Sequence, residues 1–87
     1  GTLVITIIRN IDKPLIVIID HDEMRFPLDE SYLNSNISVY DLYGHLIKTK
    51  LVDSNLCVFD TSSFPSGLYL AVLSNYMILK VVKVIVP

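Results

Sequence analysis

Residues 37–50 read ISVYDLYGHLIKTK: a strand, a tight turn and a returning strand. Ile37 and Val39 point one way and Ser38 and Tyr40 the other, the alternation of a half-buried strand. Asp41-Leu-Tyr-Gly44 supplies the turn. Aspartate suits the first position of a type I turn because its carboxylate accepts bonds from the N–H groups that follow. Glycine suits the fourth, where φ is often positive and only glycine adopts that freely. The spacing predicts a three-residue hairpin loop closed by a G1 bulge. Residues 45–51 return as the partner strand, with Lys48 and Lys50 on a solvent face and Ile47, Thr49 and Leu51 on the other.

Downstream, Asp53-Ser-Asn55 is a second turn and residues 56–60 a short strand. Phe64-Pro-Ser-Gly67 repeats the turn logic, with Pro65 pre-setting φ at the second position and Gly67 at the fourth. In the next strand Leu68, Leu70 and Val72 share one face and Tyr69, Ala71 and Leu73 the other. Ser74-Asn75 reads as a two-residue turn, since asparagine tolerates left-handed φ. Residues 77–86 form the last strand. Lys80 and Lys83 differ in parity, which predicts a bulge or a change of face between them.

Upstream, residues 2–8 alternate loosely and read as a strand, and residues 10–14 as a turn. Residues 15–19 are an apolar, β-branched run too short for a typical helix, predicted to be a strand buried on both faces and paired with 2–8 as a hairpin. Asp20-His-Asp-Glu23 is a polar loop. Residues 24–26 read as a short strand ended by Pro27. Residues 28–36 read as a loop, with room for one helical turn, that crosses from one sheet to the other. Turn signals every 8–12 residues and no helix of credible length predict an all-β, Ig-like antiparallel β-sandwich of about seven strands, in a single domain spanning 1–87.

Composition narrows the function. The chain of 87 residues is 52% hydrophobic and 18% charged, dense enough in apolar side chains for a small core. A net charge of −2 with seven scattered Lys and Arg argues against nucleic acid. A single cysteine, Cys57, excludes a disulfide scaffold. Its apolar strand, without nearby positive charge in sequence, marks it as a buried structural residue. No apolar run approaches the roughly 20 residues that span a bilayer. Residues 1–8 lack a signal peptide's basic opening and cleavage pattern, so a secreted protein would be represented here by its mature form or a fragment.

No chemistry stands out. The acidic cluster at 20–23 lacks the ligand series and glycine of a calcium loop and reads as a solvated hairpin end. His21 and His45 have no G-x-S-x-G elbow to serve. The expectation is a protein that is no enzyme and takes no cofactor or metal. Five tyrosines offer a stacking platform, with Tyr40 and Tyr69 on a shared outer face. Asp41, Gly44, Pro65 and Gly67 are turn formers first.

Residues 37–87 resemble the C-terminal sorting domain of the type IX secretion system of Bacteroidetes. The resemblance is carried by ISVYDLYGHLIKT (37–49), FDTSSFPSGLYLAVL (59–73) and LKVVKVIV (79–86). Tyr40, Asp41, Gly44, Ile47, Asp60, Ser62, Ser66, Gly67, Tyr69, Lys80 and Lys83 fall on the family's motif positions. The family's Pro-Asn-Pro opening is absent from residues 1–36. The resemblance implies a non-enzymatic, secreted or surface-exposed module that reaches the outer membrane through the periplasm. Its expected partners are the secretion machinery or an upstream cargo domain. Tyr40, Tyr69, Lys80 and Lys83 are then candidate contact residues, and the last strand is the element most open to partners. The chain is also similar to small secreted β-sandwich domains of unknown function, for which a glycan or protein would bind the tyrosine-bearing face.

Overall fold

The computed structural model describes residues 14–87. The strand expected at 2–8, and its hairpin with 15–19, lie outside them. Among the described residues the strands are β1 (Ile18–Asp20), β2 (Glu23–Pro27), β3 (Asn36–Tyr40), β4 (Leu46–Leu51), β5 (Leu56–Asp60), β6 (Gly67–Ser74) and β7 (Leu79–Val86). They make two antiparallel sheets, one in the order β1-β2-β5 and one in the order β4-β3-β6-β7. The sheets pack face to face as the expected sandwich. The chain changes sheet after β2, after β4 and after β5.

The core is built from alternate residues of the inner strands, as a period of two requires. Met24 and Phe26 of β2 and Cys57 and Phe59 of β5 meet Ile37 and Val39 of β3 and Tyr69, Ala71 and Leu73 of β6. Phe26 and Phe59 pack edge to face, centroids 5.8 Å apart and planes at 80°. Truncating either ring to alanine would cost about 3–5 kcal/mol.

The first crossing, through residues 28–35, contains the single helical turn that the sequence allowed, Glu30–Tyr32. The Asp29 carboxylate caps it by accepting the Ser31 N–H at 2.8 Å. Asn34 turns the chain at φ 68, and its N–H donates to the Val52 carbonyl at 2.9 Å. The hydroxyl of fully buried Ser35 accepts the Asn75 side-chain N–H at 2.8 Å. That bond ties the crossing to the loop between β6 and β7.

The β3–β4 hairpin forms as predicted. Gly44 sits at φ 83, and its N–H donates to the Asp41 carbonyl at 3.1 Å. The Asp41 N–H donates to the His45 carbonyl at 3.0 Å, which closes the expected G1 bulge at Gly44-His45. A second register shift, between Val39 and Tyr40, leaves Ile47 without a partner and was not expected. On β4 Lys48 and Lys50 share an exposed face, as expected, but it is the core side of the sheet. Lys48 pairs with Val39 and Lys50 with Ile37, so both lysines stand on the core side of the sheet. Thr49 stands on the outer side, bonded to Ser38 at 2.6 Å. Among the described residues the three-stranded sheet ends at β5; every residue of β4 is exposed, and an inward lysine stays wet.

Four other expectations are corrected. Ile16 and Ile18 are exposed rather than buried, and the strand begins only at Ile18, with β2 its one partner among the described residues. The bend after β5 closes at 61–64, where the Phe64 N–H donates to the Thr61 carbonyl at 2.9 Å, rather than at 64–67. The β6–β7 connection is residues 75–78 rather than 74–75, and β7 begins at Leu79. There the Asn75 carboxamide oxygen accepts the N–H groups of Met77 and Ile78 at 2.8 and 2.9 Å, a turn role that needs no left-handed φ. Finally, β7 runs in unbroken register with β6 from Leu79 to Val86, with no bulge between its lysines.

Candidate interaction surface

The strand β7 is one border of the four-stranded sheet, with β6 its single partner among the described residues. Lys80 lies opposite Leu73 and Lys83 opposite Leu70. Leu73 is buried and Leu70 belongs to the alternate, outer set, so the two lysines point to opposite faces. Their difference in parity therefore reflects a straight strand with one lysine on each side. Val84 and Val86 complete the inner face, while Val81 and Ile85 are 57% and 70% exposed on the outer one.

The outer face continues across the sheet. Tyr40 is flanked by Leu46 on β4 and Leu70 on β6, and Ser38 by Thr49 and Val72. The result is a mostly apolar face with Lys83 as its charge on β7. Tyr40 belongs to this face and Tyr69 does not. Tyr69 is buried, its ring 5.3 Å from that of Phe64, and its hydroxyl donates to the Pro65 carbonyl at 2.6 Å. This is the tyrosine corner of Ig-like sandwiches, a ring holding the entry to its strand. The two tyrosines lie on opposite sides of one sheet and form no common platform.

The other borders are obstructed. The border strand β4 carries the bulge and the inward lysines. On β5, the Lys50 ammonium donates to the Val58 carbonyl at 2.5 Å and lies 5.6 Å from the centroid of the Phe59 ring. Such features keep sheet edges from pairing with other chains. The strand β1 is three residues long.

The remaining candidates have structural settings. Asp41 accepts the N–H groups of Tyr43 and His45, both at 2.9 Å, and meets the His45 ring at 3.1 Å. The bond from the His45 N–H, chiefly, holds its carboxyl below the ordinary range. His21 forms the β1–β2 turn at φ 51. Among the described residues no three His, Cys, Asp or Glu side chains converge as metal ligands. Arg25 bonds Glu23 at 2.7 and 2.9 Å on the exposed side of β2. Cys57 is a free, buried thiol whose pKa burial pushes up.

One feature escaped sequence reasoning. A cleft of about 410 Å³ lies between the first crossing and the β6–β7 loop, bordered by Tyr32, Leu33, Asn75, Tyr76, Met77 and Lys80. Its signal was the Tyr76-Met77 pair, two large side chains almost fully exposed at a hairpin tip.

No helix of the described residues is long and apolar enough to cross a membrane. Comparison with curated proteins gives no match. The family described as the secretion system C-terminal sorting domain matches residues 16–87, which span both sheets. A module of this kind directs its chain to the cell surface or the medium. The chain belongs to the family of secretion system C-terminal sorting domains.

Proposed function

We propose that this domain is the folded address of an exported cargo, read by the outer-membrane translocon through β7 and without catalysis. A leader carries the cargo into the periplasm, and the sandwich then presents β7 to the machinery. The observation that carries this reading is the edge itself. β7 is eight residues long, in regular register, and bordered among the described residues by β6 alone. An open strand of that length offers a row of backbone donors and acceptors to a partner.

The test is a transplant of residues 1–87 to the C-terminus of a fluorescent reporter with a leader, in a host with a working type IX system. Surface or medium signal in the wild type, lost in a translocon knockout, is the expected result. Retention in the periplasm of both hosts would overturn the reading. Val81→Pro removes one edge donor and should reduce export while the β6 pairing persists.

A further inference from the structure

The chemistry of the strand that β7 would accept can be read from its two faces and its charge, taking β7 as the recognition element. The Asn75 N–H donates to the Ile78 carbonyl at 3.0 Å, which sets the antiparallel alternation of the hairpin. Lys80, Val82, Val84 and Val86 then turn their backbone groups towards β6. Val81, Lys83 and Ile85 turn theirs to the edge that no described strand occupies, and their side chains lie on the outer face. An added strand meets two environments. On the inner side it runs along Val82, Val84 and Val86 at the lip of the core. On the outer side it runs along Val81, Lys83 and Ile85, an apolar–cationic–apolar row.

β7 carries two lysines and no acidic residue. Among the described residues no carboxylate forms an ion pair with Lys83. A second copy paired edge to edge about Lys83 would set lysine against lysine, which is unfavourable, and in no register does β7 itself offer Lys83 a carboxylate. A carboxylate opposite Lys83 is favourable for the same reason. We propose that β7 accepts an extended segment of a partner protein with the alternation apolar–acidic–apolar, its Asp or Glu facing Lys83 and its apolar neighbours lying over Val82 and Val84.

The probe is a synthetic peptide, Thr-Val-Thr-Val-Glu-Val-Thr-Val-Thr, beside the same peptide with Lys at the centre. Amide NMR of the domain during titration is expected to show shifts along β7 and slowed exchange at Val81, Lys83 and Ile85. The Glu peptide should bind about two- to tenfold more tightly than the Lys peptide, the range that an exposed cross-strand charge pair supplies. Lys83→Glu should reverse that order and Lys83→Gln abolish it. Both variants change an exposed side chain, and the NMR spectrum of each free protein checks its fold. Shifts elsewhere, no binding, equal affinity for the two peptides, or concentration-dependent self-pairing through β7 would each overturn the proposal. The address reading fails separately. If Lys83→Glu reverses peptide preference while the reporter stays in the periplasm of both hosts, only that reading falls. If the reporter is exported and neither peptide touches β7, only the acidic-strand proposal falls.

Discussion

Lys50 spans the two sheets: its ammonium sits 2.5 Å from the carbonyl oxygen of Val58, although the two residues belong to strands that never pair. The bond covers a backbone acceptor on the border of the three-stranded sheet. Lys50→Thr should uncover it. The bond is exposed, so stability should change by less than about 1 kcal/mol. Self-association should rise, because β5 becomes a usable edge. Sedimentation velocity over a concentration series would show it. A variant that sediments like the parent at every concentration would remove Lys50 from the defence of that edge.

The tyrosine corner makes a stability prediction. Tyr69→Phe keeps the ring against Phe64 and deletes the bond to the Pro65 carbonyl. The expected loss is about 1–2 kcal/mol. In a domain of this size each kcal/mol corresponds to about 4–8 °C in Tm, which calorimetry resolves easily. An unchanged Tm would show that the hydroxyl contributes nothing to holding the β5–β6 corner.

These two residues also mark where sequence reading succeeds and where it stops. Asp41 and Gly44 announce their hairpin because a turn is local chemistry, and the structure returns it bond for bond. Sandwich architecture follows from the repetition of such turns. Facing does not follow. Both parities of β6 are apolar, so nothing along the strand says that Tyr69 is inside and Leu70 outside; the corner bond and the neighbouring sheet decide it. On β4 the usual rule that lysine faces water holds, yet the water is on the inner side. Among the described residues a four-stranded sheet faces a three-stranded one, and that mismatch is a property of assembly. That β7 borders the sheet among the described residues is likewise invisible until strand order is known.

Gly44 gives a cleaner measure of turn energetics. A Cβ built there meets no atom within 4 Å, so a substitution is limited by the backbone at φ 83 alone. Gly44→Ala should cost about 1 kcal/mol, and Gly44→Asn less, because asparagine enters the left-handed region more readily. Urea midpoints should fall in the order glycine, asparagine, alanine. Equal midpoints for all three would mean that the bulge relaxes when glycine is lost.

Acid should loosen the same hairpin. The His45 N–H first, then the Tyr43 N–H and the His45 ring, hold the Asp41 carboxyl below its ordinary value, and burial opposes them only in part. Asp60 is lowered by the backbone N–H and then the hydroxyl of Ser62. A carboxyl with a lower pKa folded than unfolded binds its proton more readily in the unfolded chain. Its stabilisation is complete above the unfolded value of about 3.9 and is lost as pH falls through the lower folded value. Stability should therefore be flat above about pH 5 and decline in strong acid as both carboxylates are neutralised. Asp41→Asn keeps an acceptor for the turn and has no proton to gain, so its urea midpoint should fall less steeply below pH 4 than the parent's. Parallel declines in parent and variant would exclude Asp41 as a source of acid sensitivity and leave Asp60 as the group to test.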